Sequence, residues 1–520
     1  MKHTLLSRAR WQKAISCGAQ RLAEDAAALW AWVRAVPLTR GEALALGMLV
    51  CAALLVRVVR LNAPMQYDEA YTVVAFASRP LTAVVSDYHL PNNHIFHSLL
   101  VHFAIRLVGM QPWAVRLPAL FAGLLLLPAA YALARTHYNR HAALIMAGLT
   151  AYLPLLVDYS VTARGYSLLQ LLTCLLFLLG GYLLGRRSAL GWALITLLAA
   201  LGFYTVPVML YPFGGVWLWL FFSAALGEAK PAYGSFWRFG ICLLAFGAGT
   251  AALTALCYLP VILVSGSDAL LRNPFVAPMG WDALMEALPG GVGAALAQWV
   301  REVPPWLTAA LVAGVVLSLP LHRRVCRFRL PLQVVLPLWM TAVTLAQRPQ
   351  PIPKIWLSLV PLFLLWAAGG WAGALNALRG WIGARGVHAA VAVVLALLML
   401  LTVLQTLPSL GDWNAKSELE QAVIYLAGRV EAGDIIIADY PIDPQVGYYA
   451  RLHSIPDVHW REYVHRSYRR AFILVDPVQG QTLESVLAQR APQAYPLDAA
   501  RIEPLLQVGG IHIYQGFPAP

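Results

Sequence analysis

A chain of 520 residues that is 59% hydrophobic and only 12% charged is not built for water, because soluble domains carry about 25% charged residues. Its formal net charge of +13 would suit a nucleic-acid binder, but the Lys and Arg fall between long apolar runs, as they do in cytoplasmic loops, and nucleic acid is set aside as a partner. The six Cys show no metal-ligand spacing, and none follows Cys326, so no disulfide framework is expected in the C-terminal part.

Residues 1–41 carry no cleavable-signal pattern and read as an amphipathic cytoplasmic lead-in. A crossing needs about 20 mostly apolar residues. Such runs lie near 42–61, 93–109, 113–134, 141–157, 166–184, 189–204, 205–226, 239–264, 304–321, 331–347, 355–372 and 387–408. The run 93–109 differs from the rest, because His94, His97, His102 and Arg106 would make one side of its helix polar. Unpaired charge in hydrocarbon costs several kcal/mol, so this helix is laid in the outer interface and eleven crossings remain.

With the N-terminus inside, the inner connections hold Arg135 and Arg140, Arg186 and Arg187, Lys230 and Arg238, Arg323 to Arg329, and Arg379 and Arg385. Every one is basic, as orientation by positive charge requires. Segments 62–112, 158–165, 265–303, 347–354 and 409–520 then lie outside. In the last of these, a helical stretch near 415–430 precedes strand-like runs at 434–438, 471–475 and 511–514, which suggests a small α/β domain. The expected organisation is a lead-in at 1–41, a membrane domain at 42–408 with the outer loop 62–112, and an outer domain at 409–520.

The first outer loop carries Tyr67-Asp68-Glu69-Ala70-Tyr71. Adjacent carboxylates this near lipid are costly unless solvated or used. One could serve as general base to an acceptor hydroxyl, and the other could hold a metal ion or orient substrate. Both could equally be solvated loop charges. The same loop continues through His89, Asn92, Asn93, His94 and His97, which could line a polar sugar pocket; His94 and His97 alone are too few for a metal site. Asp158 and Arg164 stand six apart at the next outer segment, either as an ion pair or as separate site groups. Arg348 and Lys354 sit in a Pro-stiffened outer turn that suits a phosphate headgroup or a snorkelling anchor. Carboxylates and cations at one membrane depth fit transfer from a lipid phosphate. A transporter or lipid flippase would instead place charges at mid-membrane and show repeated halves. A scaffold would leave the acidic loop without a use.

Tyr67-Asp68-Glu69-Ala70-Tyr71, Asn92-Asn93-His94-Ile95-Phe96, Arg116-Leu117-Pro118-Ala119-Leu120 and Ala163-Arg164-Gly165-Tyr166-Ser167, in that order, resemble the GT-C glycosyltransferases. The nearest branch is the bacterial family-39 type, similar to protein O-mannosyltransferases and lipid A aminoarabinose transferases. The resemblance implies an α-helical polytopic membrane protein of GT-C type, with about eleven transmembrane helices and a small C-terminal extracytoplasmic α/β domain. It implies a polyprenyl-phosphate-linked sugar donor, a glycan, lipid or protein acceptor, and an active site on the outer face of a bacterial inner membrane. Asp68 would be the catalytic base with Glu69 beside it, and Asp158 would match a second acidic position. Tyr67, Tyr71, Asn92, Asn93, His94, Arg164, Tyr166, Arg348 and Lys354 would bind substrate. Relatives differ in their use of a divalent ion, so magnesium or manganese is left open, with Asp68, Asp158 and His94 as the residues to hold it.

Overall fold

The computed structural model describes residues 20, 22–32, 38–272, 277–410, 416–460, 468–490 and 497–519. Cys17 and much of the expected amphipathic lead-in lie outside the described residues. The chain divides into two compact units, one made of Met1–Val58, Ala119–Ser160 and Gly165–Leu407, the other of Val59–Pro118, Val161–Arg164 and Pro408–Pro520.

The first unit is helical. Among the described residues, six helical stretches are long and apolar enough to cross a membrane: Arg40–Val58, Pro112–His137, Tyr166–Gly185, Pro207–Ala225, Phe236–Val264 and Pro353–Leu410. The protein is therefore a multi-pass membrane protein. A seventh crossing results if Arg140–Tyr152 and Pro154–Ser160 are one span, bent by 60°. The bend has a local cause. Pro154 pushes the preceding residue out of the helical region, and Leu153 accordingly sits at φ −51°, ψ 116°. In the last stretch Gly383, at φ 68° and ψ 173°, interrupts the helix between the apolar runs 355–372 and 387–408. Ala189–Thr205, Pro305–Ser318 and Leu332–Gln347 are shorter apolar helices. Small residues let two helices touch along their backbones: a Cβ on Gly370 would stand 1.8 Å from the Gly314 carbonyl oxygen.

The second unit joins the first loop to the C-terminal residues. Its sheet has the order β1-β2-β4-β3, with β1 (Asp434–Ile437), β2 (Arg470–Val475), β3 (Glu503–Val508) and β4 (Ile511–Gly516). β1 and β2 are parallel, while β4 runs antiparallel to both β2 and β3. Alternation along the strands separates two apolar faces. Ile435, Ile437, Ala471, Ile473 and Val475 pack on one. Ile436, Phe472, Leu474 and Ile513 pack on the other, in the same core as Met65, Ala70, Val73, Val101 and Val115 from the loop and Val446, Tyr448 and Tyr449 from helix Asp443–Leu452. The packing changes units between Leu407 and Pro408, beside the boundary expected at residue 408, but it also joins the loop 62–112 to the C-terminal part, because the loop shares its hydrophobic core with the C-terminal sheet. Helix Ile95–Val108 has 14 residues, about 21 Å at 1.5 Å per residue, against about 30 Å of hydrocarbon.

Asp434 begins β1 with its side chain fully buried, bonded to Arg470 at 2.7 Å and Arg469 at 3.1 Å. Burial alone would raise its carboxyl, but the hydrogen bonds from Arg470 and Arg469 outweigh it and hold the group below the usual range. A depressed carboxyl stabilises the fold above its unfolded pKa of about 3.9, and that stability is lost as pH falls through the folded value. Hydrogen exchange on the full chain should therefore show β1 and β2 losing protection on acidification below about pH 4. Asp434→Asn should lower protection at neutral pH and flatten that loss; unchanged exchange at both pH values would remove the pair from this role.

Candidate active site

All the residues assembled here belong to the second unit. Asp68 and Glu69 lie on the single helical turn Tyr67–Tyr71, where successive side chains point about 100° apart. The two carboxylates therefore diverge. Glu69 is completely buried, and Asp68 is half-buried.

Glu69 Oε1 accepts from Arg116 Nε at 2.9 Å and from the Ala163 amide at 2.6 Å. Its Oε2 accepts from Arg116 Nη2 at 2.7 Å and from the Gln66 amide at 3.0 Å. Arg116 is itself buried, and its remaining donors reach the carbonyls of Leu61, Ala63 and Pro64 at 2.8, 2.7 and 3.1 Å. The planar five-donor guanidinium is fully used, as the burial of such a charge requires. Glu69 thereby ties together the loop 61–66, the start of helix Pro112–His137 and residue 163.

Arg164 is also buried. Its Nη1 donates to Thr72 Oγ1 at 2.9 Å and to the Asn92 carbonyl at 2.7 Å, and its Nη2 donates to His94 Nε2 at 3.1 Å. Guanidinium groups only donate, so His94 Nε2 accepts and the ring proton stays on Nδ1. Asn92 Nδ2 reaches the Asp68 carbonyl at 3.4 Å. Asn93 is buried and holds the carbonyls of Val84 and Asp87 at 3.1 and 2.9 Å, which fixes the loop before it. His97 is fully buried, and neither ring nitrogen has a hydrogen-bond partner among the described residues. Burial and the Arg164 charge push it down to about 3, so it is neutral at physiological pH.

The residues after Tyr71 form a π-helical turn, Thr72–Ala77, closed by the Ser78 amide on the Val73 carbonyl at 2.9 Å. Such turns often occur at functional sites. Tyr67 and Tyr71 face one another with ring centroids 6.2 Å apart, and Tyr440 meets Tyr67 edge-on at 5.4 Å. Burial, reinforced by the negative charge of Asp443, raises both Tyr67 and Tyr71. Arg451 donates to the Val74 carbonyl at 3.2 Å, to Ser78 Oγ and to Asp457, so the C-terminal segment grips the turn. Nothing in the sequence pattern pointed to Tyr440, Asp443 or Arg451, which lie in the C-terminal residues. Arg116 was visible in the Arg-Leu-Pro motif, though without a partner.

The other expected residues lie in the first unit. Asp158 pairs with Arg301 at 3.6 Å. Tyr166 is buried and meets Tyr159 edge-on at 5.0 Å. Arg348 ends helix Leu332–Gln347 in the left-handed region at φ 48° and lies over the Trp281 ring at 5.3 Å. Lys354 lies in the 3-10 turn Pro353–Leu359 and is half-buried. Among the described residues, no three His, Cys, Asp or Glu side chains lie close enough together to share a metal ion. His94, one of the expected ligands, has its Nε2 turned to the Arg164 guanidinium.

The two carboxylates should separate on mutation. Removing one partner of a buried ion pair costs about 3–5 kcal/mol. Glu69→Gln should accordingly lower the thermal stability of the detergent-purified protein by a large margin, and Glu69→Leu with Arg116→Met should recover part of the loss. Asp68→Asn, at a half-buried position, should cost clearly less than Glu69→Gln. Equal losses from Asp68→Asn and Glu69→Gln would contradict this division.

Residues 92–246 match the family model described as dolichyl-phosphate-mannose-protein mannosyltransferase. No curated protein sequence matches the chain. The crystal structure of ArnT from Cupriavidus metallidurans in the apo state superposes with a TM-score of 0.59 at 11% identity, covering 90% of this chain and 97% of that one. The same protein bound to undecaprenyl phosphate gives 0.54 at 11% identity, with the same coverage. A more distant likeness, to the Archaeoglobus fulgidus oligosaccharyltransferase, has a TM-score of 0.44 at 13% identity over 79% of this chain and 59% of the other. The chain thus has the fold of the GT-C glycosyltransferases, the superfamily that its motifs resemble.

Proposed function

We propose that this protein is a membrane glycosyltransferase that moves a sugar from a polyprenyl-phosphate donor to an acceptor hydroxyl, with Asp68 as general base. One observation carries the reading. Of two adjacent carboxylates, Glu69 is wholly committed to Arg116 and two backbone amides, while Asp68 stands half-buried on the same turn beside Tyr67 and Tyr71. The fold shared with ArnT, which has been crystallised with undecaprenyl phosphate, supports a lipid-phosphate donor.

In this reading Asp68 takes the proton of the acceptor hydroxyl as its oxygen attacks the anomeric carbon. The bond from that carbon to the phosphate oxygen breaks, and the polyprenyl phosphate leaves with the electron pair. Direct displacement inverts the anomeric centre. Arg348 and Lys354 are assigned to the donor phosphate, and Asp158 to a supporting acidic role. Glu69 is a positioning residue that fixes the turn bearing Asp68. Eleven crossings, with the acidic loop and the C-terminal sheet on the extracytoplasmic face of a bacterial inner membrane, complete the proposal.

General base catalysis contributes about 10²–10⁴-fold in rate. Asp68→Asn should reduce sugar transfer from a polyprenyl-phosphate donor by at least that range while inserting and folding normally. Transfer at the wild-type rate would remove Asp68 from the role. Arg348→Ala and Lys354→Ala should each raise the KM for donor more than they lower kcat, and unchanged kinetics in both would return that turn to a membrane anchor.

A further inference from the structure

Next to the acidic turn lies a chain of hydrogen bonds that the mechanism above does not use. Asp87 Oδ2 accepts from Arg79 Nη1 at 2.6 Å. Asp87 Oδ1 lies 2.5 Å from His89 Nδ1, and His89 Nε2 lies 2.7 Å from the Tyr71 hydroxyl. Asn93 holds the carbonyls of Val84 and Asp87 and so fixes the loop that presents the carboxylate. The Phe76 ring packs against both His89 and Tyr71, with centroids 5.2 and 5.9 Å apart.

The protons in this chain can be placed. An ionised carboxylate only accepts, so Nδ1 of His89 carries a proton in either charge state. The carboxyl of Asp87 is opposed by burial, but the hydrogen bonds from His89 and Arg79 prevail and hold it below its usual range. When His89 is neutral, Nε2 has a lone pair and takes the Tyr71 hydroxyl proton. Tyr71 then shows only oxygen lone pairs to whatever approaches. When His89 is charged, Nε2 donates to the Tyr71 oxygen, and the hydroxyl proton must turn outward. His89 is the reachable member of the chain, with 48% of its side chain exposed against 23% for Asp87. The charged and titratable groups around it are Asp87 and Arg79 on its own loop, Tyr71, Tyr67 and Asp68 on the acidic turn, and Asp443 from the C-terminal segment, whose charge acts on Tyr71.

We propose that Asp87, His89 and Tyr71 form a relay in which the charge on His89 decides whether the Tyr71 hydroxyl offers its proton or its lone pairs to the phosphate of the lipid donor. The inference rests on the lipid-phosphate reading given above. Tyr71 touches the phosphate, while His89 and Asp87 are positioning residues behind it. A phosphate oxygen is attracted to an outward hydroxyl proton and repelled by outward lone pairs. Donor binding therefore strengthens as His89 gains its proton.

The test is binding of undecaprenyl phosphate to the full-length protein in lipid nanodiscs between pH 5.5 and 8.5. The phosphate titrates in this range itself, with a second pKa near about 6, but identically for every variant, so the difference between proteins is the readout. Wild type should gain about tenfold in affinity on acidification relative to His89→Gln, the scale of one hydrogen bond to a charged group. Tyr71→Phe should lose the same pH-dependent component. A His89→Gln or Tyr71→Phe variant that keeps the full wild-type pH slope overturns the relay while leaving the donor reading intact. Wild type that fails to bind undecaprenyl phosphate at any pH overturns the donor reading itself, and the relay with it.

Discussion

The pairing of Glu69 with Arg116 is the constraint on which the rest of the second unit depends. Burying two charges is expensive, and the cost is offset only when every donor and acceptor is matched. Here the match uses both carboxylate oxygens, all five guanidinium N–H groups and the backbone of residues 61–66 and 163. Segments far apart in sequence are thereby held to one geometry. A one-residue slip of the turn Tyr67–Tyr71 would rotate the wrong side chain toward Arg116 and leave that cation buried without its anion. The half-buried position of Asp68 follows from this, because the residue before an anchored one on a helix is displaced by about 100°.

Around that anchor a second layer of polar contacts fixes the loop. Arg164 reads three parts of it, through Thr72, Asn92 and His94. Asn93 and Arg451 act on its outer bends. Most of the polar residues that could have lined a pocket are consumed in holding the loop, and the tyrosines, Asp68 and His89 remain nearer its surface. The same residue types thus divide by burial into those that hold the loop and those that lie nearer its surface. The C-terminal residues contribute the apolar floor under this arrangement, through Val446, Tyr448 and Tyr449 on helix Asp443–Leu452 and Phe472 on β2.

How far the sequence was legible follows the range of the interactions. Helices set by local hydropathy were readable, because each depends on residues a turn apart, whereas the break at Pro154 was not, and 141–157 reads as one run. The acidic pair and the Arg-Leu-Pro motif were also visible. Their connection was not, since Glu69 and Arg116 are 47 positions apart and nothing local marks one as the partner of the other. Without that connection nothing local marked Glu69 as the buried anchor of the pair. The shared core was less legible still. Apolar positions such as Val73 and Val101 look alike whether they face lipid, a neighbouring helix or a distant sheet, so the membership of the first loop in the C-terminal core was not legible. The Asp87–His89–Tyr71 chain was hidden because its members came from two bends whose approach depends on Asn93 and the π-helical turn.

The discontinuity of the second unit has a consequence for synthesis. Its first segment ends at Pro118 and its last begins at Pro408, with roughly 290 residues between them. At about 5–20 residues per second, a ribosome needs on the order of tens of seconds to cover that distance. During this interval the electrostatic clasp of Glu69 and Arg116 is already within reach, since both partners belong to the early segment. The apolar floor arrives only with the end of the chain. A truncated or stalled product would therefore display the acidic turn on an uncovered greasy surface, and quality-control proteases would meet it before any substrate did.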